Sequence, residues 1–274
     1  MSSGFPIGVF DSGYGGLTVL RSIVNKLPAY DFIYLGDNAR APYGNRSFQT
    51  VYQYTREAVQ WFFGKGCPLV ILACNTASAK ALRTIQQHDL AESGTSNRVL
   101  GVIRPTTEMA GSLSCTGELG ILATQGTVNS NSYPLEIQKF YPGVKVYQQA
   151  CPLWVPLIEN NEHTGPGADY FVSKYTRELM KQSEQIDTVI LGCTHYPLLL
   201  EKLRSIFPPS VRLISQGEIV ADSLAGYLER HPEIGGRCSK NGQTAFFTTD
   251  SPADFDRHAR IFYGSEIRSE AVFL

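Results

Sequence analysis

Two cysteines, Cys74 and Cys193, each stand directly after a short apolar run and directly before small hydrogen-bonding side chains. In Thr188-Val-Ile-Leu-Gly-Cys193-Thr194-His195-Tyr196-Pro197 the run reads as a strand buried on both faces, and the Gly lets the backbone turn without a side-chain clash. Pro68-Leu-Val-Ile-Leu-Ala-Cys74-Asn75-Thr76 has the same construction. Paired thiols at paired strand ends suit the inversion of a carbon that carries a hydrogen. One group takes the proton from one face while a second delivers a proton to the other, and the two must be alike if the reaction is to run both ways. An isolated thiol ionises at about 8.5, and a helix N-terminus or a nearby cation lowers that value. Both cysteines precede expected helices, which predicts thiolate character. Ser12, Asn75, Thr76, Thr124 and Thr194 are uncharged donors at predicted strand ends, suited to holding carboxylates beside backbone N–H groups. Asp11 and His195 are ionisable neighbours able to exchange protons with the thiols.

The elements that must position these groups follow from apolar spacing and from Gly and Pro. Pro6 to Phe10 reads as a strand, broken at Asp11-Ser-Gly-Tyr-Gly-Gly, and apolar residues at 17, 20, 23, 24 and 27 then predict a helix. Strand, glycine turn and helix form the βα unit of a parallel sheet. A second strand, Asp31 to Leu35, ends at Gly36-Asp37, and Ala41-Pro42-Tyr43-Gly44 makes a non-helical turn. A helix over about 48–64 leads to the Cys74 strand. A further helix over about 77–90, a polar loop over 91–98 and a strand over 99–103 follow. The opening layout then returns in Glu118 to Thr127, with Gly inside the strand, a polar break and Gly again. The interval from Asp11 to Asp37 equals that from Thr124 to Ala150, which ends a strand over 144–149. This internal duplication predicts two similar α/β layers, each with one thiol at the carboxyl ends of its strands, where open α/β sheets bind ligands. Beyond Pro197 the pattern predicts a helix over 198–207, a strand over 211–214, a helix over 217–230, a loop over 231–242, a strand over 244–249 and a last helix over 252–262.

Composition excludes several classes. Lys+Arg number 24 against 25 Asp+Glu, a net charge of -1, so no global field attracts nucleic acid or an acidic membrane. The longest apolar runs fall far short of the roughly 20 residues of a spanning helix. Met-Ser-Ser-Gly-Phe-Pro leads straight into a strand without a secretory pattern, so a cytoplasmic location is expected. The six cysteines include no Cys-x-x-Cys pair and no His at ligand spacing, which argues against a metal site or a disulfide framework. Cys67, Cys115, Cys151 and Cys238 are expected to pack as small hydrophobes.

Five motifs in order carry a resemblance. Asp11-Ser-Gly-Tyr-Gly-Gly-Leu, Leu35-Gly-Asp-Asn-Ala-Arg-Ala-Pro-Tyr-Gly44, Ala73-Cys-Asn-Thr-Ala-Ser78, Ala123-Thr-Gln-Gly-Thr-Val-Asn-Ser130 and Leu191-Gly-Cys-Thr-His-Tyr-Pro197 together resemble the cofactor-independent glutamate racemases. The resemblance implies a two-base racemisation of L- and D-glutamate, with Cys74 and Cys193 as the bases and Asp11 and His195 assisting them. It implies that Asp11, Ser12, Tyr43, Gly44, Asn75, Thr76, Thr124, Thr127, Thr194 and His195 contact substrate, and that Glu159 corresponds to an acidic site residue. Taken alone, Glu159 reads as a solvated residue at a helix end. The resemblance further implies a homodimer, D-glutamate supplied for peptidoglycan and cell shape, and no pyridoxal phosphate or metal. The chain lacks the N-terminal extension that some members carry for activation by a wall precursor, so that regulation is not expected. The implied fold is two pseudo-symmetric, open, mostly parallel α/β lobes with the active site in the cleft between them. The first lobe is expected to span 1–97 plus 216–274 and the second 98–215.

Three other readings compete. Asp11-Ser-Gly-Tyr-Gly-Gly has part of a dinucleotide-binding turn, with Asp37 as the ribose acceptor, but Thr18 stands where its third glycine belongs. An aspartate racemase is the nearest rival, and such relatives tend to carry an acidic residue after the second Cys-Thr where this chain has His195-Tyr196. The third is a catalytically silent amino-acid-binding protein, against which the two thiols argue.

Overall fold

A computed structural model describes residues 4–274, so the reading of Met1 to Ser3 lies outside the described residues. Among the described residues ten strands form two sheets. They are β1 (Ile7–Asp11), β2 (Phe32–Gly36), β3 (Leu69–Leu72), β4 (Arg98–Gly101), β5 (Glu118–Ala123), β6 (Lys145–Ala150), β7 (Thr188–Gly192), β8 (Arg212–Ile214), β9 (Thr244–Thr248) and β10 (Ser269–Ala271). One sheet runs β10-β9-β2-β1-β3-β4 and the other β6-β5-β7-β8, with every pairing parallel. The apolar runs are where they belong: β1, β2, β3, β5 and β7 are buried along their whole length, whereas the edge strand β6 is half-buried to exposed.

The two sheets share one topology. From β1 the chain steps to β2 on one side and then to β3 on the other; from β5 it steps to β6 and then to β7 in the same way. Each sheet therefore has a point where strand order reverses, and the crevice outside the carboxyl ends at that point is the place for a ligand. Asp11 ends β1 and Cys74 follows β3; Thr124 follows β5 and Cys193 follows β7. The repeated glycines inside the central strands have a packing reason. A Cβ at Gly8 would lie 2.6 Å from the Phe62 ring on helix Phe48–Gly64, and one at Gly120 would lie 2.8 Å from Leu179 on helix Pro166–Met180.

One boundary differs from the sequence reading. Residues 98–101, assigned above to the second lobe, form β4 and pair with β3 in the six-stranded sheet. The polar stretch before them, expected as a loop over 91–98, is helical to Ser93 and joins β4 at Arg98; it connects elements of one sheet and not two sheets, so the chain first leaves this sheet after Gly101. Helices Ile103–Leu113, Ser132–Phe140 and Pro166–Met180, which carry Pro105, Pro134 and Pro166, have no counterpart among the predicted elements. All three prolines sit in a first turn, where no intrahelical N–H is lost. The predicted loop over 231–242 contains a helical turn, Pro232–Gly235, and the short edge strand β10 went unread for want of an apolar run. After β8, helix Gly217–Arg230 packs on helix Leu17–Lys26, and β9 pairs with β2.

Replacing Gly8 by Ala should lower the unfolding free energy by about 1–3 kcal/mol, since Phe62 must move to admit the methyl group. Urea denaturation checks this, and an unchanged midpoint would show that the close approach is not a tight one.

Candidate active site

The strand ends of the two sheets meet around one cavity, and both predicted thiols line it. Cys74 and Cys193 are each 6% exposed. Ser12, Tyr43, Gly44, Asn75, Thr76, Thr124, Thr194 and His195 also line the cavity. Two of the expected contacts, Asp11 and Thr127, do not reach the lining and are wholly buried. Asp11 accepts from the Gly13 N–H at 3.0 Å and the Thr194 hydroxyl at 3.4 Å. Thr127 is bonded to the hydroxyl of Thr124 at 3.1 Å. Each of these residues thus orders one that does line the cavity.

Contacts between the two halves close the site. The Thr76 and Thr124 hydroxyls are 2.9 Å apart, and the Gly126 N–H donates to the Gly44 carbonyl at 2.8 Å. Thr18 donates to the Thr194 carbonyl at 3.0 Å. Gly15 lets the first glycine turn approach the second Cys-Thr-His segment, because a Cβ there would lie 2.3 Å from both His195 Nδ1 and Thr194 Oγ1.

The surroundings of the two thiols differ. Cys74 caps helix Asn75–Lys80: its sulfur accepts from the Ala77 N–H at 3.4 Å and donates to the Ser12 hydroxyl at 3.5 Å. The helix-terminal N–H thus does what sequence predicts, yet it does not prevail. Burial first, and then the Asp11 carboxylate, push the Cys74 thiol up to about 12, against the lowering effect of Ser12 and Ala77. The expectation of thiolate character at Cys74 is corrected accordingly: near neutral pH this sulfur keeps its proton. Burial likewise raises Asp11 above the usual carboxylate range, opposed by the charge of His195 and by the Gly16 and Gly13 N–H groups.

Cys193 has a basic neighbour. Its sulfur is 3.8 Å from His195 Nδ1, and His195 Nε2 is 2.9 Å from Glu159 Oε1. Burial pulls the imidazole down, but its hydrogen bonds and charge interactions with Cys193 and Glu159 outweigh that and hold it up at about 10. His195 is therefore a cation near neutral pH, with both ring nitrogens donating. Glu159, at the end of helix Trp154–Glu159, is no free surface carboxylate as its sequence context alone suggests: it pairs with His195 and lines the cavity.

Asp37 cannot serve as a ribose acceptor. It is wholly buried and its carboxylate is occupied by Arg40 Nε at 2.7 Å, the Thr249 hydroxyl at 2.8 Å and the hydroxyl of Tyr43. Its role is to hold the Pro42-Tyr43-Gly44 turn over the cavity. Sequence reasoning missed Cys151, Pro152 and Val155 as lining residues. The duplication held the signal, since the loop after β6 is the counterpart of the loop after β2 that supplies Tyr43 and Gly44. Of the four cysteines expected to be packed, Cys67, Cys151 and Cys238 are buried and Cys115 is exposed. Among the described residues no cluster of three or more His, Cys, Asp or Glu side chains is placed to hold a metal ion, and no helix is long and apolar enough to cross a membrane.

Two acid–base groups lining one small space walled by hydroxyls and an amide form an arrangement suited to moving a proton on and off a carbon acid. The family described as Asp/Glu/hydantoin racemase matches residues 7–224 of the chain. A glutamate racemase of Ruegeria sp. is 41% identical, over 97% of this chain and 99% of the relative. A glutamate racemase isoform of Bacillus anthracis superposes with a TM-score of 0.90 at 34% identity, over 99% of this chain and 98% of that one. Glutamate racemase of Francisella tularensis, solved in complex with D-glutamate, gives 0.88 at 32% identity with the same coverages.

The raised His195 value has a consequence for stability. A group held at about 10 when folded and at 6.5 when unfolded contributes fully below pH 6.5, and that contribution is lost as pH rises towards 10. The Glu159→Gln substitution removes part of the cause. In urea titrations across this window the unmodified protein should lose more stability than the variant, and parallel pH slopes would show that Glu159 does not hold the proton on His195.

Proposed function

The chain belongs to the Asp/Glu/hydantoin racemase family and is a racemase, and from that premise we propose that it interconverts L- and D-glutamate by passing the α-proton between Cys74 and Cys193. The observation that carries this reading is that both buried thiols line one cavity, at equivalent positions of two sheets of like topology. In one direction a thiolate takes the α-hydrogen and becomes a thiol, leaving a carbanion. The opposite thiol gives its proton to the other face and becomes a thiolate. The reverse reaction exchanges the two roles, so no net proton is consumed.

The α-hydrogen of an amino acid is very weakly acidic, and a thiolate is a modest base. The negative charge that develops spreads into the α-carboxylate, where preorganised donors stabilise it most. Ser12, Thr76, Thr124, Thr194 and the Asn75 amide supply such donors from both halves of the cavity wall. His195 keeps a proton beside Cys193, and burial together with the Asp11 carboxyl keeps one on Cys74 against the lowering effect of its bonds to Ser12 and Ala77. Release of the Cys74 proton calls for a change in those surroundings, which the approach of the substrate's α-ammonium group would bring by placing a cation near the sulfur. We further infer, from the family, two lobes with the cavity between them, a homodimer, and D-glutamate destined for the bacterial wall.

Incubation in heavy water with each enantiomer of glutamate and of aspartate tests the reading. Solvent deuterium should appear at the α-carbon of glutamate, with loss of optical rotation and without added pyridoxal phosphate. Exchange into aspartate alone would favour the rival substrate, and binding without exchange would exclude catalysis. Cys74→Ala and Cys193→Ala should each lower racemisation at least about a hundredfold while leaving the circular dichroism unchanged. Near-normal turnover in both directions by either variant would remove that cysteine from the mechanism.

A further inference from the structure

Behind the cavity wall lies a closed ring of buried hydrogen bonds that the two-thiol chemistry does not use. The Asn75 Nδ2 group donates to Gln216 Oε1 at 2.7 Å, Gln216 Nε2 donates to the Tyr133 hydroxyl at 3.0 Å, and that hydroxyl donates to Asn75 Oδ1 at 2.7 Å. Asn75 and Gln216 are 3% exposed and Tyr133 is fully buried. The ring draws on three parts of the fold. Asn75 opens the helix after β3, Tyr133 belongs to helix Ser132–Phe140 of the other sheet, and Gln216 lies where the chain returns from β8 to helix Gly217–Arg230.

The direction of every donor in the ring is set from one end. Gln216 Nε2 also faces the Val102 carbonyl at 3.2 Å and the Thr106 hydroxyl at 2.9 Å. A backbone carbonyl only accepts, so the Gln216 amide must present its nitrogen there and its oxygen to Asn75. Asn75 must then present nitrogen to Gln216 and oxygen to Tyr133. One Nδ2 hydrogen is used in the ring, and the second is left for the cavity that Asn75 lines beside Cys74. Without the ring the two ends of the Asn75 amide are nearly equivalent in shape, and a flip would turn a carbonyl towards an anionic substrate.

We propose that Gln216 is a positioning residue for the racemase site: it fixes the Asn75 amide so that an N–H, and not a C=O, meets the substrate's carboxylate. This rests on the reading that the substrate is glutamate. The test is a double-mutant cycle with Gln216→Met and Asn75→Ala in the full chain, supported by 15N-asparagine labelling, in which the Asn75 side-chain signal is identified by its loss in Asn75→Ala. Gln216→Met should raise KM for glutamate about 10- to 100-fold, the range for a lost hydrogen bond to a charged group. In the Asn75→Ala background the same substitution should change KM less than about twofold. The two Asn75 amide protons should be well separated and slow to exchange in the unmodified protein and lose that protection in Gln216→Met. Tyr133→Phe opens the ring at its other side and should act in the same direction, which keeps the test available if Gln216→Met does not fold. Equal losses in both backgrounds, or an unchanged amide signal, would overturn the proposal. If the amide behaves as described while the unmodified chain leaves glutamate untouched, the positioning stands and the substrate assignment falls.

Discussion

A proton can leave one face of a carbon and return to the other only if two acid–base groups are held on opposite sides of it, in a space that excludes water. A single sheet offers only one line of strand ends. Two sheets of the same topology whose carboxyl ends meet at one cavity offer two, and in the proposed mechanism the repeated plan of this chain meets the requirement with Cys74 after β3 and Cys193 after β7. The turns around them serve the same end. Gly15 gives up its side chain so that Thr194 and His195 can approach, and the Gly126 N–H bonds the Gly44 carbonyl across the gap.

Similar plans do not make the two sides equal. Cys193 has a buried cation beside it, backed by Glu159, whereas Cys74 has a hydroxyl, a helix-terminal N–H and a buried carboxyl. For Cys74 desolvation dominates and the proton stays on. The protein thus holds one proton at each end of the cavity by different means: by charge at His195, by low polarity at Cys74. An enzyme for a reversible reaction needs matched free energies for its two directions and not matched structures, so the asymmetry is compatible with the proposed exchange of roles.

Much of this was legible in the sequence. The buried parallel strands announced themselves as uninterrupted apolar runs, and a residue that follows such a run must lie at a strand end, which located both thiols and most of the cavity wall. The interval shared by Asp11 to Asp37 and Thr124 to Ala150 disclosed the duplication. What was not legible depended on distance in space. Helices Ile103–Leu113, Ser132–Phe140 and Pro166–Met180, each with a proline in its first turn, have no predicted counterpart. A polar loop looks the same within one sheet as between two, which put the boundary before β4 instead of after it. Cys151 lines the cavity only because the segment after β6 folds back over it, Glu159 was indicated by the resemblance and not by its local context, and Cys74 keeps its proton because of burial that no local pattern records.

The central claim is that the hydrogen removed and the hydrogen returned belong to different groups. Polarimetry of a single protiated enantiomer of glutamate in heavy water tests it most directly. With two bases, each inversion brings in solvent deuterium, the return reaction is slowed by the heavier isotope, and the rotation should pass through zero and change sign before decaying. A monotonic fall to zero, with product that keeps its original α-hydrogen, would mean that one group does both tasks and would contradict the account.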